Sequence, residues 1–145
     1  MSEIAKAFSE LTRLEVGMGE VAFIFYEISA LAVKTCRHRF LIDPADYFSL
    51  EDIKSLGELD AILVTHEHHD HFDASSTVSM QEATGAIIVC NPGAYSLLKG
   101  RVPAEKLVFF EPDKTAEVKG AKITAVKSIH PGRKPIMFIV EVDEI

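Results

Sequence analysis

Apolar residues recur at helical spacing at the start of the chain. Ile4, Phe8, Leu11 and Leu14 form one stripe, which predicts an amphipathic helix over residues 3–14 ending near Gly17 and Gly19. The pattern then changes period. VAFIFYEI (21–28), ALAVKT (30–35) and RHRFLID (37–43) are short β-favouring runs separated by polar turns, and they predict neighbouring strands of one sheet. Ser49 followed by Asp52 reads as a capping box opening a short helix, SLEDIKSL, and AILV (61–64) predicts a buried strand. Asp73 suits the cap of a helix ASSTVSMQEAT that Gly85 ends; AIIVC (86–90) predicts another buried strand, and Pro92 suits the first turn of a helix through AYSLLK. Beyond Pro103 the runs LVFF, TAEVKG, AKITAVKS and IMFIVEV predict short antiparallel strands. Strands with helices between them predict an α/β (α+β) fold, one domain over residues 1–145.

Composition narrows what such a domain does. With 145 residues and 48% hydrophobic content, the chain has material for one real core. A net charge of -7, from 22 acidic and 15 basic residues without a basic cluster, argues against a nucleic-acid surface. Charges at Glu3, Lys6, Glu10 and Arg13 break up any signal-peptide region, and the stretch VAFIFYEISALAV is cut by Glu27 and too short to span a bilayer. A cytoplasmic protein with no membrane partner is expected. Cys36 and Cys90 lack CxxC spacing, which suggests neither a thiolate zinc site nor a disulfide framework.

Chemistry concentrates directly behind AILV, in LDAILVTHEHHDHFD. Of six histidines in the chain, His66, His68, His69 and His71 fall in one hexapeptide with Asp70. In extended or loop backbone, residues two apart can point the same way, so His66 and His68 can converge on one ion. Asp70 and His71 can reach a second ion beside it, which leaves Glu67 and His69 as spacer positions with other jobs. Glu67→Ala is accordingly expected to keep its metal. Imidazoles and a carboxylate suit Zn²⁺ first, with Mn²⁺ or Fe²⁺ also fitting, and the absence of cysteine ligands argues against a closed structural zinc site. Such a site, with open positions, lowers the pKa of bound water to about 7 and makes hydrolysis the natural chemistry. Asp70 is the expected catalytic residue, holding that water for attack while ligating the second ion. His130, in SIHPGRKP after an alternating run, is placed to complete the first site. His38, between Arg37 and Arg39, reads as an ordinary turn histidine.

THEHHDH resembles the H-x-H-x-D-H signature of the metallo-β-lactamase superfamily, and ISALAVKTCRHRFLIDP, NPGAYSLL and SIHP extend the likeness over most of the chain, towards the branch that includes ascorbate-6-phosphate lactonase. The resemblance implies that His66, His68 and His130 ligate one metal, that Asp70 and His71 ligate another, and that Asp43 in LIDP supports the site from beneath. It also implies an αββα sandwich with up to two divalent ions, acting on a small-molecule lactone, amide, thioester or phosphodiester.

The departure from that family pattern is the end of the chain. Members continue with a bridging aspartate and a last histidine, whereas this sequence stops at EVDEI, with Asp143 on the ending strand and too early for that role. The expectation is therefore a partial sandwich whose second half is truncated or absent. Either an enzyme or a non-catalytic metal-binding module that needs a partner chain fits this pattern. LVFF, AKITAVKS and IMFIVEV are expected to form one sheet with an open apolar face. A homodimer, or a missing C-terminal half, would cover that face through Ile123, Val126, Ile136, Phe138 and Val140.

Overall fold

A computed structural model describes residues 1–145 and arranges them as helices, sheet and second sheet, three stacked layers. Helix α1 (Glu3–Arg13) begins at Ser2, whose side chain accepts from the Ala5 N–H, and it buries Ala5, Phe8 and Leu11. Leu14 is its C-cap and is exposed, so the helix stops before either glycine. Strands β1 (Ala22–Tyr26), β2 (Ala30–Lys34) and β3 (Arg39–Ile42) form an antiparallel meander. Strands β4 (Ala61–Val64), β5 (Ile87–Cys90) and β6 (Leu107–Phe109) then add in parallel, giving a sheet ordered β1 to β6.

The crossovers start where the sequence supplies caps. Helix α2 (Leu50–Lys54) opens with the Ser49/Asp52 capping box, α3 (Ala74–Thr84) with Asp73 accepting from the Ser76 N–H, and α4 (Pro92–Leu98) with Asn91 accepting from the Ala94 N–H. Gly85 ends α3 in the left-handed region at φ 72°. No helix is long and apolar enough to cross a membrane.

LVFF departs from its expected group. Leu107–Phe109 is not part of the antiparallel set but pairs in parallel with β5, Leu107 opposite Ile88. The physical reason is the return path: the chain leaving α4 turns through a 3₁₀ turn, Ala104–Lys106, beside the start of β5 and then runs the same way. The second sheet therefore contains only β7 (Thr115–Val118), β8 (Ala121–Lys127) and β9 (Ile136–Glu141), all antiparallel.

Two cores meet at β4, which is buried on both faces. Ile62 and Val64 pack towards the helices with Phe8, Leu41, Met80 and Ile88. Ala61 and Leu63 face the second sheet with Phe40, Val89, Ile123 and Ile136. Full burial of each such Leu or Ile contributes about 1.5–3 kcal/mol, so this strand is a rigid rail for whatever follows it.

The apolar face expected to lie open is mostly closed within the chain. Ile123 and Ile136 are buried against the first sheet. Val126, paired with Met137, points to the opposite face, because the strand period is two. What stays open is the side: six strands are covered by only three. Phe23 and Phe25 on edge strand β1 share the face of Val33 and Phe40 yet are 62% and 60% exposed. Between the sheets, on that side, a cleft of about 110 Å³ is lined by Val33, Phe40, Ile42, Val140 and Val142, with Phe138 half-buried on the same face of β9.

Candidate metal centre

Because β3, β4 and β5 run in parallel, the segments that leave them emerge at one edge of the sheet, where ligands bind in open α/β sheets. Asp43 leaves β3, residues 65–73 leave β4, and Asn91 leaves β5. His130 arrives from the other sheet, in the loop between β8 and β9.

These segments bring four imidazoles around one space. Ring centroids of His66 lie 4.8 Å from His68, 4.2 Å from His71 and 4.4 Å from His130, with His68 and His130 5.1 Å apart. Ligand atoms of His66, His68 and His130 lie within 4.8 Å of one another, and so do those of Asp43, His66 and His71. Asp70 Oδ2 is 3.9 Å from His71 Nε2. His69 is exposed and joins neither group.

Counting protons shows which nitrogens face the space. Asp43 accepts from the Thr65 N–H at Oδ1 (2.8 Å) and from the Thr65 hydroxyl at Oδ2 (2.6 Å). With its only proton spent on the carboxylate, the Thr65 oxygen can only accept from His66 Nδ1, 2.8 Å away, so His66 carries its proton there. His71 Nδ1 lies 2.8 Å from Asp43 Oδ2 and donates to it, and His130 Nδ1 donates to the Pro131 carbonyl at 2.9 Å. In all three rings Nε2 is left with a bare lone pair. Asp43 is engaged by three donors, which makes it an orienting group for its neighbours.

His66 Nε2 is buried and has no hydrogen-bond partner in the protein. An orphaned buried acceptor costs about 1–3 kcal/mol, which a coordinated cation would offset. Neither group contains a cysteine, and a nitrogen and carboxylate donor set of this kind suits Zn²⁺, Mn²⁺ or Fe²⁺. Charge is graded across the cluster. The hydrogen bond that His71 donates to Asp43 raises the pKa of His71 against the opposing effect of burial, while burial and the neighbouring His71 lower that of His66.

Several positioning residues carried no signal in the sequence. Ser29 Oγ lies 2.9 Å from the Asp43 carbonyl and 2.6 Å from that of Asp70, and the Tyr47 hydroxyl donates to the Asp70 carbonyl at 2.8 Å. Thr65, next to the motif, could have been found by its adjacency. Glu67 is no idle spacer: burial pushes its carboxyl up, but hydrogen bonds from Asn91 and the Arg133 N–H bring it below its ordinary value.

The sequence profile of the family described as a beta-lactamase superfamily domain matches residues 38–143, which include every residue of this centre except Ser29. The chain belongs to the metallo-β-lactamase superfamily. It is similar to a UPF0173 metal-dependent hydrolase from Rubrobacter xylanophilus, 34% identical over 103 residues that cover 63% of this chain and 41% of that protein. A second UPF0173 metal-dependent hydrolase, from Polaromonas, is 30% identical over 124 residues, covering 70% of this chain and 43% of its own length. The chain thus spans less than half the length of the curated relatives it matches. Among solved structures, a metallo hydrolase from the archaeon Ignicoccus hospitalis shares the fold, with a TM-score of 0.68 and 21% identity over 85% of this chain and 56% of that one. Helices, sheet and sheet correspond to three of the four layers of an αββα sandwich.

In this superfamily member the histidine cluster is not the largest cavity. A charged cleft of about 620 Å³ opens at the other end of the sheet between Arg37, Arg39, Glu58, Asp60, Thr84 and Lys119, and it contains no imidazole.

Proposed function

We propose that this chain carries most of the ligand set of a metal-dependent hydrolase acting on a small molecule. The observation that carries the reading is the buried, partnerless Nε2 of His66, facing the nitrogens of His68 and His130. Of the expected divalent ions, up to two in number, His66, His68 and His130 would hold the first and Asp70 and His71 the second. Zn²⁺ is the preferred ion for this donor set, with Mn²⁺ and Fe²⁺ as the alternatives. Such ions supply Lewis acidity and an activated water for attack on an ester, lactone, amide or phosphodiester bond. Asp70, the proposed catalytic residue, would orient the attacking water by accepting a hydrogen bond from it. Asp43 keeps the His71 proton on Nδ1, and Thr65 does the same for His66. The printed names of the two curated relatives support the same reaction class.

A specific observation favours a second reading as well. The cleft beside Phe23, Phe25, Phe138 and Val140 is open, so residues 1–145, taken as one domain, fit a non-catalytic metal-binding module that needs a partner chain, here a second copy, to cover that side. Elemental analysis tests the part both readings share: the His66→Ala, His68→Ala double variant should be nearly empty, and metal at wild-type stoichiometry would sink the assignment. Asp70→Asn should abolish phosphodiester or lactone hydrolysis measured with added Zn²⁺ or Mn²⁺ while leaving the circular dichroism spectrum unchanged. Equal activity in that variant would remove Asp70 from the chemistry.

A further inference from the structure

Glu67 sits at the first spacer position of the histidine motif, and its carboxylate reaches two other segments. Oε2 accepts from Asn91 Nδ2 at 2.8 Å, and Oε1 accepts from the Arg133 N–H at 2.7 Å. Asn91 Nδ2 also donates to the Arg133 carbonyl at 2.9 Å, while its Oδ1 accepts from the Ala94 N–H at the start of α4. One carboxylate and one amide therefore hold both the N–H and the carbonyl of Arg133. This ring joins the segment after β4, the cap of α4 and the loop between β8 and β9.

The loop's other side-chain tethers lie at the surface: Arg133 Nη1 donates to Ser96 Oγ at 3.3 Å, and Lys134 Nζ donates to Glu111 Oε1 at 2.7 Å. Residues 129–134 are all exposed, Ile129 completely so, and His130 is among them. Loops without buried apolar contacts open locally at small cost, so polar tethers decide where they rest. Two glycines make room for the tether. A Cβ on Gly93 would overlap both Oε2 and Cδ of Glu67, and one on Gly132 would come within 3.3 Å of Oε1. Gly93 lies in the first turn of α4 with an ordinary negative φ, so no backbone strain calls for glycine there. What its missing side chain admits is the carboxylate.

We infer that Glu67, seated in the gap left by Gly93, is the positioning residue that holds the His130 loop against His66 and His68. It is not a ligand itself, since both carboxylate oxygens are taken. The inference rests on the reading of His130 as a ligand of the first ion. It also reverses the expectation that Glu67→Ala keeps its metal unchanged.

The test uses the 145-residue chain, with Co²⁺ titrated against a competing chelator and the visible absorption spectrum recorded for each variant. Loss of a residue that orients a ligand typically weakens metal affinity about 10- to 100-fold, and Glu67→Ala and Gly93→Ala should both fall in that range with altered spectra. Glu67→Gln should lie between them and wild type, because its amide has a single acceptor oxygen for two donors. Gly93→Ala is the sharper variant: it leaves the Glu67 carboxylate present and removes only its seat, so affinity and spectrum should change with every polar group of the tether still in the chain. A second measurement needs no metal. Hydrogen exchange at the Arg133 N–H should speed up by about tenfold or more in Glu67→Ala and Gly93→Ala, since its acceptor is gone or displaced. Unchanged exchange in both would overturn the inference. So would wild-type Co²⁺ affinity in both variants when His130→Ala weakens it. If His130→Ala itself, with His66→Ala and His68→Ala, leaves affinity and spectrum untouched, the metal reading fails instead, and exchange at Arg133 still judges the tether.

Discussion

At the scale of single residues, a hydroxyl sets the protonation pattern of the centre. Thr65 spends its proton on Asp43 and thereby makes His66 donate from Nδ1, which turns the Nε2 lone pair into the cluster. Thr65→Ser preserves this relay and should bind Zn²⁺ much as wild type does. Thr65→Val leaves the His66 N–H without its acceptor and takes one of two donors from Asp43 Oδ2, and its affinity should drop about 10- to 100-fold. Competition with a chromogenic chelator measures both; a valine variant that binds like wild type would show that the tautomer is set elsewhere. The graded pKa values act in the same region: His71, raised, takes up a proton at higher pH than His66, lowered, in the metal-free chain.

Between elements, a second histidine does structural work. His38, in the turn between β2 and β3, is buried, with Nδ1 3.1 Å from Asp143 Oδ2 and Nε2 2.7 Å from the Lys119 carbonyl. Asp143 lies just past β9 rather than on it, at φ 50°, and also accepts from Thr35 and the Arg37 N–H. Burial lowers the pKa of His38, but its hydrogen bonds with Asp143 and Lys119 and the charge of Asp143 leave it raised above 6.5. Burial likewise pushes Asp143 up, and its donors hold it down to about 2 from an ordinary 3.8. Stability from His38 is complete below 6.5 and lost as pH rises through its higher folded value. Stability from Asp143 is present above 3.8 and lost as pH falls towards about 2. The melting-temperature gap between wild type and Asp143→Asn should therefore peak between 3.8 and 6.5 and narrow on both sides. Thermal melts over a pH series check this, and a flat gap would refute the coupling.

These elements also mark what the sequence makes legible. Caps are written locally, so Ser49/Asp52, Asp73, Pro92 and Gly85 announce the helices where they occur, although the Asn91 cap before Pro92 shows only in the structure. Strand direction is not written locally: three residues of β6 alternate identically whether parallel or antiparallel, and only the return path decides. The motif His66–His71 is legible because its members are consecutive. The burial of His38 and the partners of Glu67 are not, because Asp143, Asn91 and Arg133 reach them across the chain.

Over the whole molecule, a six-stranded sheet faces a three-stranded one, and part of its inner face is left uncovered. The proposed second copy would cover Phe23, Phe25, Phe138 and Val140, while Ile123 and Ile136 are already used inside the chain. Sedimentation over a dilution series should find a dimer that dissociates only on dilution; a well-behaved monomer at micromolar concentration would rule it out. Phe23→Ser with Phe25→Ser should favour the monomer without unfolding it, since both side chains are largely exposed already.

The parallel strands leave the far end of the first sheet with a different character. There the chain turns back into β4, β5 and β6 through Gly57, Gly85 and Gly100, each at positive φ (69°, 72° and 83°). These bends share an end of the sheet that no histidine of the cluster reaches. A fluorophore or short insertion anchored beside them would sit a full strand length from the imidazoles, which makes this end the natural handle for tethering the protein to a surface or reading out its motions.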